Sequence, residues 1–137
     1  MSRSWFLTIA GGIALLVGTI ASVAPAWVLL GKGVAPEAAV LVWVREVGVA
    51  ILATGGMSLA LRHHPASPTL RVFFLGNAAH QVMLAPIEVV AYLDGTIPKL
   101  SGIVPNTILH VVLASAFLVY AFGPKLRPDA VDSRPAG

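Results

Sequence analysis

The chain has no cysteine and few charged residues. Without a thiol it can form neither a disulfide bond nor a thiolate metal site, and cysteine usage gives no indication of the redox compartment. Asp, Glu, Lys and Arg make up only 11% of the residues, whereas an average soluble domain has about a quarter. Together with 57% hydrophobic residues, this composition excludes an ordinary soluble domain.

Sequence signatures of several function classes are also missing. The chain contains no phosphate-binding loop, nucleophile elbow or dinucleotide fingerprint, and its paired glycines lie inside apolar stretches where helix packing explains them. The formal net charge is +3, but the basic residues are scattered and form no patch for nucleic acid. The absence of an internal repeat makes transport the least favoured function.

Four long apolar stretches fill almost the whole chain, at about residues 5–24, 38–61, 70–93 and 104–122. Each is close to the roughly 20 residues that a helix needs to cross a bilayer. The sequence therefore predicts an all-α protein, an integral membrane four-helix bundle over residues 1–124. The remaining residues, 125–137, are polar and rich in proline, and we expect them to form a disordered tail.

The distribution of basic residues predicts the orientation. With four spans, one side of the membrane receives six Lys and Arg residues and the other side only two, Lys32 and Lys99. The six are Arg3, Arg62, Arg71, Lys125, Arg127 and Arg134. Cytoplasmic segments carry the excess of basic residues, so we expect both termini in the cytoplasm and a multi-pass protein of the cell inner (plasma) membrane. The first apolar run exceeds the roughly 7–15 residues of a signal peptide core, which favours its retention.

Ionisable residues inside these spans lie at matching depths. At a rise of about 1.5 Å per residue, Arg45 and Glu46 lie about 10–12 Å from the outer end of their span. Glu88 lies about 8 Å and His110 about 9 Å from the outer ends of theirs. Other polar residues accompany them, and we predict that these bind a ligand: Asn77, His80, Gln81, Asp94 and Asn106. The outer half of the bundle is thus a candidate site.

The charges in this cluster suggest separate roles. Arg45 and Glu46 are neighbours and cannot pair with each other, so we expect Arg45 to pair with Glu88, at matching depth. Glu46 would then lack a counter-charge and favour its neutral form, suited to act as a general acid beside the base His110. The alternative is that the charges only fix helix register, although intramembrane ionisable residues are costly and usually functional. For the amides, hydrogen bonds between helices are the expected role.

Metal and haem sites find little support. Bis-histidine haem ligation needs both rings at one depth, whereas His80 and His110 differ by about 5 Å along the helices. No compact ligand spacing predicts zinc. We therefore predict no cofactor and no metal, with quinone as the one cofactor left open.

Three short motifs carry a resemblance to a known family. They are a glycine-rich first span ending in Ala24-Pro25, the run Arg45-Glu46-Val47-Gly48 early in the second, and Asn106 with His110 early in the fourth. Over residues 5–123 the chain resembles the small four-helix bacterial membrane proteins of the DoxX-like group and its uncharacterised relatives. This resemblance implies a four-helix bundle and, for some members, association with quinone-linked oxidoreductases. The resemblance identifies no catalytic residue in this chain.

Three functional hypotheses follow. The first is an outer-leaflet pocket for an amphipathic or isoprenoid molecule, with acid–base chemistry of isomerase or cyclase type. Glu46 or Glu88 would be the acid, His110 the base or relay, and Arg45 the group that holds a polar head. The second is a quinone-interacting subunit of a redox complex, using His80 or His110. The third is a structural protein that binds a partner membrane subunit or forms a homo-oligomer.

Overall fold

The computed structural model describes residues 1–123, and all the regular secondary structure within them is helical. Five α-helices occur, with a short 3-10 helix, Leu100–Gly102, before the last. They are α1 (Arg3–Val23), α2 (Pro25–Lys32), α3 (Ala38–Leu61), α4 (Pro68–Leu93) and α5 (Val104–Phe122). The predicted apolar stretches correspond to α1, α3, α4 and α5, and these four helices are long and apolar enough to cross a membrane. The predicted disordered tail lies outside the described residues.

Local signals explain where the helices begin and end. Ser2 and Ser67 cap α1 and α4, each accepting a hydrogen bond from a backbone N–H in the first turn. Pro25 opens α2, and Gly33 closes it with a left-handed backbone at φ 81°. The helix α4 continues through Pro86, so this proline does not end the span.

The helices α1 and α3 form one closely packed pair, held together by glycines. A Cβ atom added at Gly48 would lie 2.5 Å from the Ser22 Oγ, and one at Gly18 would lie 2.8 Å from the Gly48 carbonyl oxygen. Farther along, Gly11 and Gly55 meet in the same way. Small residues allow the two backbones to approach, and this approach fixes how far each helix is rotated about its own axis.

The helices α4 and α5 form the second pair. This pair contacts the first pair at the end where α1 begins, next to the N-terminus. Phe6 of α1 packs edge-on against Phe117, with ring centroids 4.9 Å apart, and stacks on Tyr120 at 4.7 Å. Phe74 of α4 completes this cluster, and the Tyr120 hydroxyl donates a hydrogen bond to the Met1 carbonyl oxygen at 2.8 Å. The aromatic cluster therefore ties the two pairs together at one end.

At the opposite end, α2 lies across the connection between α4 and α5. A Cβ atom at Gly102 would be 2.7 Å from the Cα atom of Lys32, so the end of α2 rests directly on the 3-10 helix. Gly33 similarly lies against the side chains of Pro98 and Lys99. Between this contact and the aromatic cluster the two helix pairs separate and enclose a cavity.

Candidate functional site

The cavity between the two helix pairs has a volume of about 710 Å³. Aliphatic side chains form most of its wall, and Phe117 of the aromatic cluster forms its base. The aliphatic residues from the first helix pair include Ile13, Val17, Val44, Val47 and Ile51. Trp27 of α2 and Trp43 of α3 lie at its edge and remain largely exposed. The site is therefore an apolar chamber with an open side.

Polar side chains at the α2 end of this cavity form one continuous chain of contacts. Lys32 makes an ion pair with Glu88. Asn106 uses its amide nitrogen twice, donating to Glu88 Oε1 at 2.8 Å and to His110 Nε2 at 3.2 Å. The Nδ1 atom of His110 contacts the side-chain oxygen of Gln81. All five residues line the cavity, and they form one connected polar area on a largely apolar wall. The lining has further polar residues, Thr54, Ser58, Asn77 and His80, outside this chain of contacts.

The hydrogen bonds assign the state of His110. Its Nε2 accepts a hydrogen bond from the Asn106 amide, so its Nδ1 must carry the hydrogen that it donates to the Gln81 oxygen. The imidazole is therefore neutral, and both of its nitrogens are engaged. Within residues 1–123 the buried Oε2 atom of Glu88 has no hydrogen-bond partner. Protein atoms cover this oxygen, so a molecule in the cavity would reach it only after the Glu88 carboxyl group rotates.

Lys32 is a site residue that the sequence analysis missed. The sequence pattern places Lys32 only on the outer side of the membrane, whereas its side chain is 20% exposed and reaches Glu88, which is 14% exposed. It occupies the last turn of α2, where a cation also complements the helix dipole. Pro25 at the start and Gly33 just past the end are the sequence signal of a short helix and indicate its position.

The predicted ion pair between Arg45 and Glu88 is wrong, because Glu88 pairs with Lys32. Arg45 and Glu46 are exposed on the outer side of α3, and neither lines the cavity. The physical reason is the rotation of α3. Gly48 must face α1 for the two backbones to approach, and this turns Arg45 and Glu46 away from the bundle interior. The structure thus separates Glu46 from Glu88 and His110.

The other predicted ligand-binding residues have different surroundings. Gln81 and Asn106 make the expected hydrogen bonds between helices, whereas the buried Asn77 donates to the Phe73 carbonyl of its own helix at 2.9 Å. Asn77 and His80 both line the cavity. Asp94 does not, and belongs to an exposed turn.

In that turn the backbone N–H of Thr96 donates to Asp94 Oδ1 at 2.9 Å. This hydrogen bond, with one from the Thr96 side chain, holds the pKa of Asp94 below its ordinary value. A carboxylate that accepts hydrogen bonds keeps its charge more readily. Asp94 is thus explained by the turn that it forms rather than by the cavity.

Metal-ligand groups and comparisons with known proteins give no further indication of function. The described part of the chain contains no group of three or more His, Cys, Asp or Glu side chains able to hold a metal ion. Comparison with models of protein families, with curated proteins and with solved structures found no match to this chain. The cavity and its polar chain are therefore the features that indicate a function.

Proposed function

We propose that this is a multi-pass protein of the cell inner (plasma) membrane whose cavity binds an amphipathic or isoprenoid molecule from the outer leaflet. The observation that carries the proposal is a largely apolar cavity of about 710 Å³ with the Lys32–Glu88 ion pair at one end. Small-molecule sites have volumes of roughly 300–1,000 Å³ and a few convergent polar groups on an apolar lining. A molecule with a long apolar body and one polar head matches this distribution.

The orientation follows from the basic residues. Both termini are proposed to be cytoplasmic, since six Lys and Arg residues lie on that side and two on the other. Lys32 and the α2 end of the cavity then belong to the outer half of the membrane. The polar head of the ligand would lie there, and its apolar body would extend toward Phe117.

Two groups at this end are proposed to bind the head, the Lys32 ammonium and the Glu88 carboxyl group after it rotates toward the cavity. Lys32 Nζ is a donor, and the unpartnered Glu88 Oε2 is an acceptor. A hydroxyl head both donates and accepts, so it satisfies both groups. A quinone carbonyl accepts only, and it would leave the Glu88 oxygen unsatisfied. The proposal therefore favours an alcohol of isoprenoid type over the quinone suggested by the resemblance to DoxX-like proteins.

The proposal extends to acid–base chemistry at the head. Glu88 and His110, linked through Asn106, are the candidate groups for proton transfer in an isomerisation or cyclisation. His110 would exchange a proton only after its hydrogen bond to Asn106 or to Gln81 breaks. Glu46 has no part in this version of the reaction, because it lies outside the cavity. Binding is the first claim to test, and chemistry depends on it.

The test is mass spectrometry of the small molecules that co-purify with the protein in mild detergent. Ile87→Phe narrows the cavity that Ile87 lines, whereas Val90→Phe adds the same ring one turn away, outside the cavity. The wild-type residues are similarly exposed, at 61% and 57%, which makes Val90 a matched control. We expect one enriched amphipathic species with the wild type and with Val90→Phe, and its loss with Ile87→Phe.

Two results would contradict the proposal. One is that all three proteins carry only the bulk lipids of the membrane in their ordinary proportions. The other is that the enriched species stays bound to Ile87→Phe at the wild-type level. Recovery of a quinone in place of an alcohol would instead support the redox-subunit hypothesis.

A further inference from the structure

Arg45 and Glu46 are exposed on α3, and neither of them lines the cavity. Neither side chain has a hydrogen-bond or ion-pair partner within residues 1–123, and adjacent residues of a helix cannot pair with each other. Charged side chains that face lipid are costly, and membrane proteins pair them or turn them inward. We therefore expect a partner to cover both charges on this exposed face of α3.

The helical rotation between successive residues gives the positions of the two charges around α3. Each residue turns about 100° around the helix, so Arg45 and Glu46 lie on the two flanks of one stripe along α3. The stripe is apolar and all of its residues are exposed, with Val42 at 50% and Val49 at 59%. It consists of Val42, Val49, Ala53, Gly56 and Ala60. Their spacing of 7, 4, 3 and 4 residues follows the period of a helix-to-helix seam.

We infer that this face of α3 binds the same face of a second copy of the chain, as a parallel dimer with a two-fold axis along the membrane normal. In that arrangement the left flank of one helix faces the right flank of the other. Arg45 therefore meets Glu46 of the partner subunit, and Glu46 meets Arg45 of the partner subunit. The two charges differ in depth by only about 1.5 Å, so both ion pairs form at one level.

The charge pattern is what selects a second copy as the partner. The face carries one positive and one negative flank at equal depth, and it is thus complementary to itself under a two-fold rotation. The stripe also leaves room for a second helix to approach closely, because nothing lies within 4 Å of a Cβ atom at Gly56 and the neighbouring stripe residues Ala53 and Ala60 are small. The dimer requires the membrane insertion proposed above, but it is independent of what the cavity binds.

Charge exchange combined with cysteine cross-linking tests the dimer in the full-length protein in native membranes. Val49→Cys places the only thiol of the chain at the centre of the stripe. Val82→Cys is the control, since Val82 of α4 is 55% exposed and, like Val49, lies about 16 Å from the outer end of its helix. Under mild oxidation we expect a disulfide-linked dimer from Val49→Cys and none from Val82→Cys.

The charge variants then test the ion pairs. In the Val49→Cys background, R45E gives four acids at the interface and E46R gives four bases, and each alone should lose the cross-linked dimer. Co-expressed with tags of different size, the two should form the cross-linked heterodimer, because every acid again faces a base.

Several outcomes would overturn the dimer. These are equal cross-linking at Val49 and Val82, cross-linking that is indifferent to the charge variants, or a monomeric wild type whose charges extend to the membrane surface. Alkaline extraction of the same membranes separates the two proposals. Protein that resists extraction but does not cross-link contradicts only the dimer, whereas extracted protein contradicts membrane insertion itself.

Discussion

Breaking the ion pair between Lys32 and Glu88 should destabilise the protein more than any surface change at the same end. Lys32→Met would leave the Glu88 carboxylate with only the Asn106 hydrogen bond and one buried, unpartnered oxygen. Removing one member of a buried pair costs about 3–5 kcal/mol. The two side chains retain 20% and 14% exposure, so we expect the lower end. A loss of about 3 kcal/mol changes the folding equilibrium roughly a hundredfold.

The double variant makes the prediction specific to the pair. Lys32→Met with Glu88→Gln removes both charges, and the glutamine oxygen can still accept from Asn106. Replacing a buried pair by neutral groups is often close to neutral, so the double variant should lose about 1 kcal/mol or less. Glu88→Gln alone should lose less than Lys32→Met, because the long Lys32 stem can carry its charge toward the membrane surface.

The measurement is reversible unfolding in mixed micelles, followed by circular dichroism at one protein concentration, since dimerisation would make stability concentration-dependent. Lys99→Met is the matched control. Lys99 is exposed at the same end of the molecule and only approaches the Leu30 carbonyl at 3.4 Å, so its loss should stay within about 0.5 kcal/mol. The reasoning is refuted if Lys32→Met behaves like Lys99→Met, or if the double variant loses the sum of the single losses.

Two further predictions concern packing and orientation. Gly18→Ala should lower the free energy of unfolding by about 1–3 kcal/mol, because its Cβ would lie 2.8 Å from the α3 backbone. Gly12→Ala on the same helix meets nothing within 4 Å and should be neutral or stabilising by up to about 1 kcal/mol. Thermal unfolding in detergent compares the two variants, and equal losses would contradict the close α1–α3 contact. Single cysteines at Gly33 and Thr96, but not at Ser133, should react with an impermeant thiol reagent in intact cells. Labelling at Ser133 would reverse the proposed orientation.

The helices could be predicted from the sequence because their signals are local. An apolar run of about 20 residues needs no knowledge of its neighbours, and Pro68 or Gly33 acts on the turn that contains it. Depth is local too, since it depends only on the rise per residue. Depth estimates place Glu88 and His110 in the same half of the bundle, and both residues line the cavity.

Rotation about the helix axis could not be predicted in the same way. The sequence places Arg45 and Gly48 on nearby faces of α3, but it does not state which of them faces inward. That choice is made by the close approach of Gly48 to Gly18, a contact between distant parts of the chain. Lys32 was missed for a related reason, because the fold of α2 onto Gly102 brings it to Glu88.

The most direct test of the central claim is native mass spectrometry of the wild-type protein released from mild detergent. The account predicts a protein peak with one additional amphipathic molecule per chain, whose fragmentation identifies a hydroxyl head on an apolar body. The adduct should persist under activation that strips loosely bound lipids, because the molecule lies between the helix pairs and its head binds Lys32 and Glu88. A protein that carries no retained molecule, or only a ladder of bulk lipids that detach together, would contradict a ligand site in the cavity.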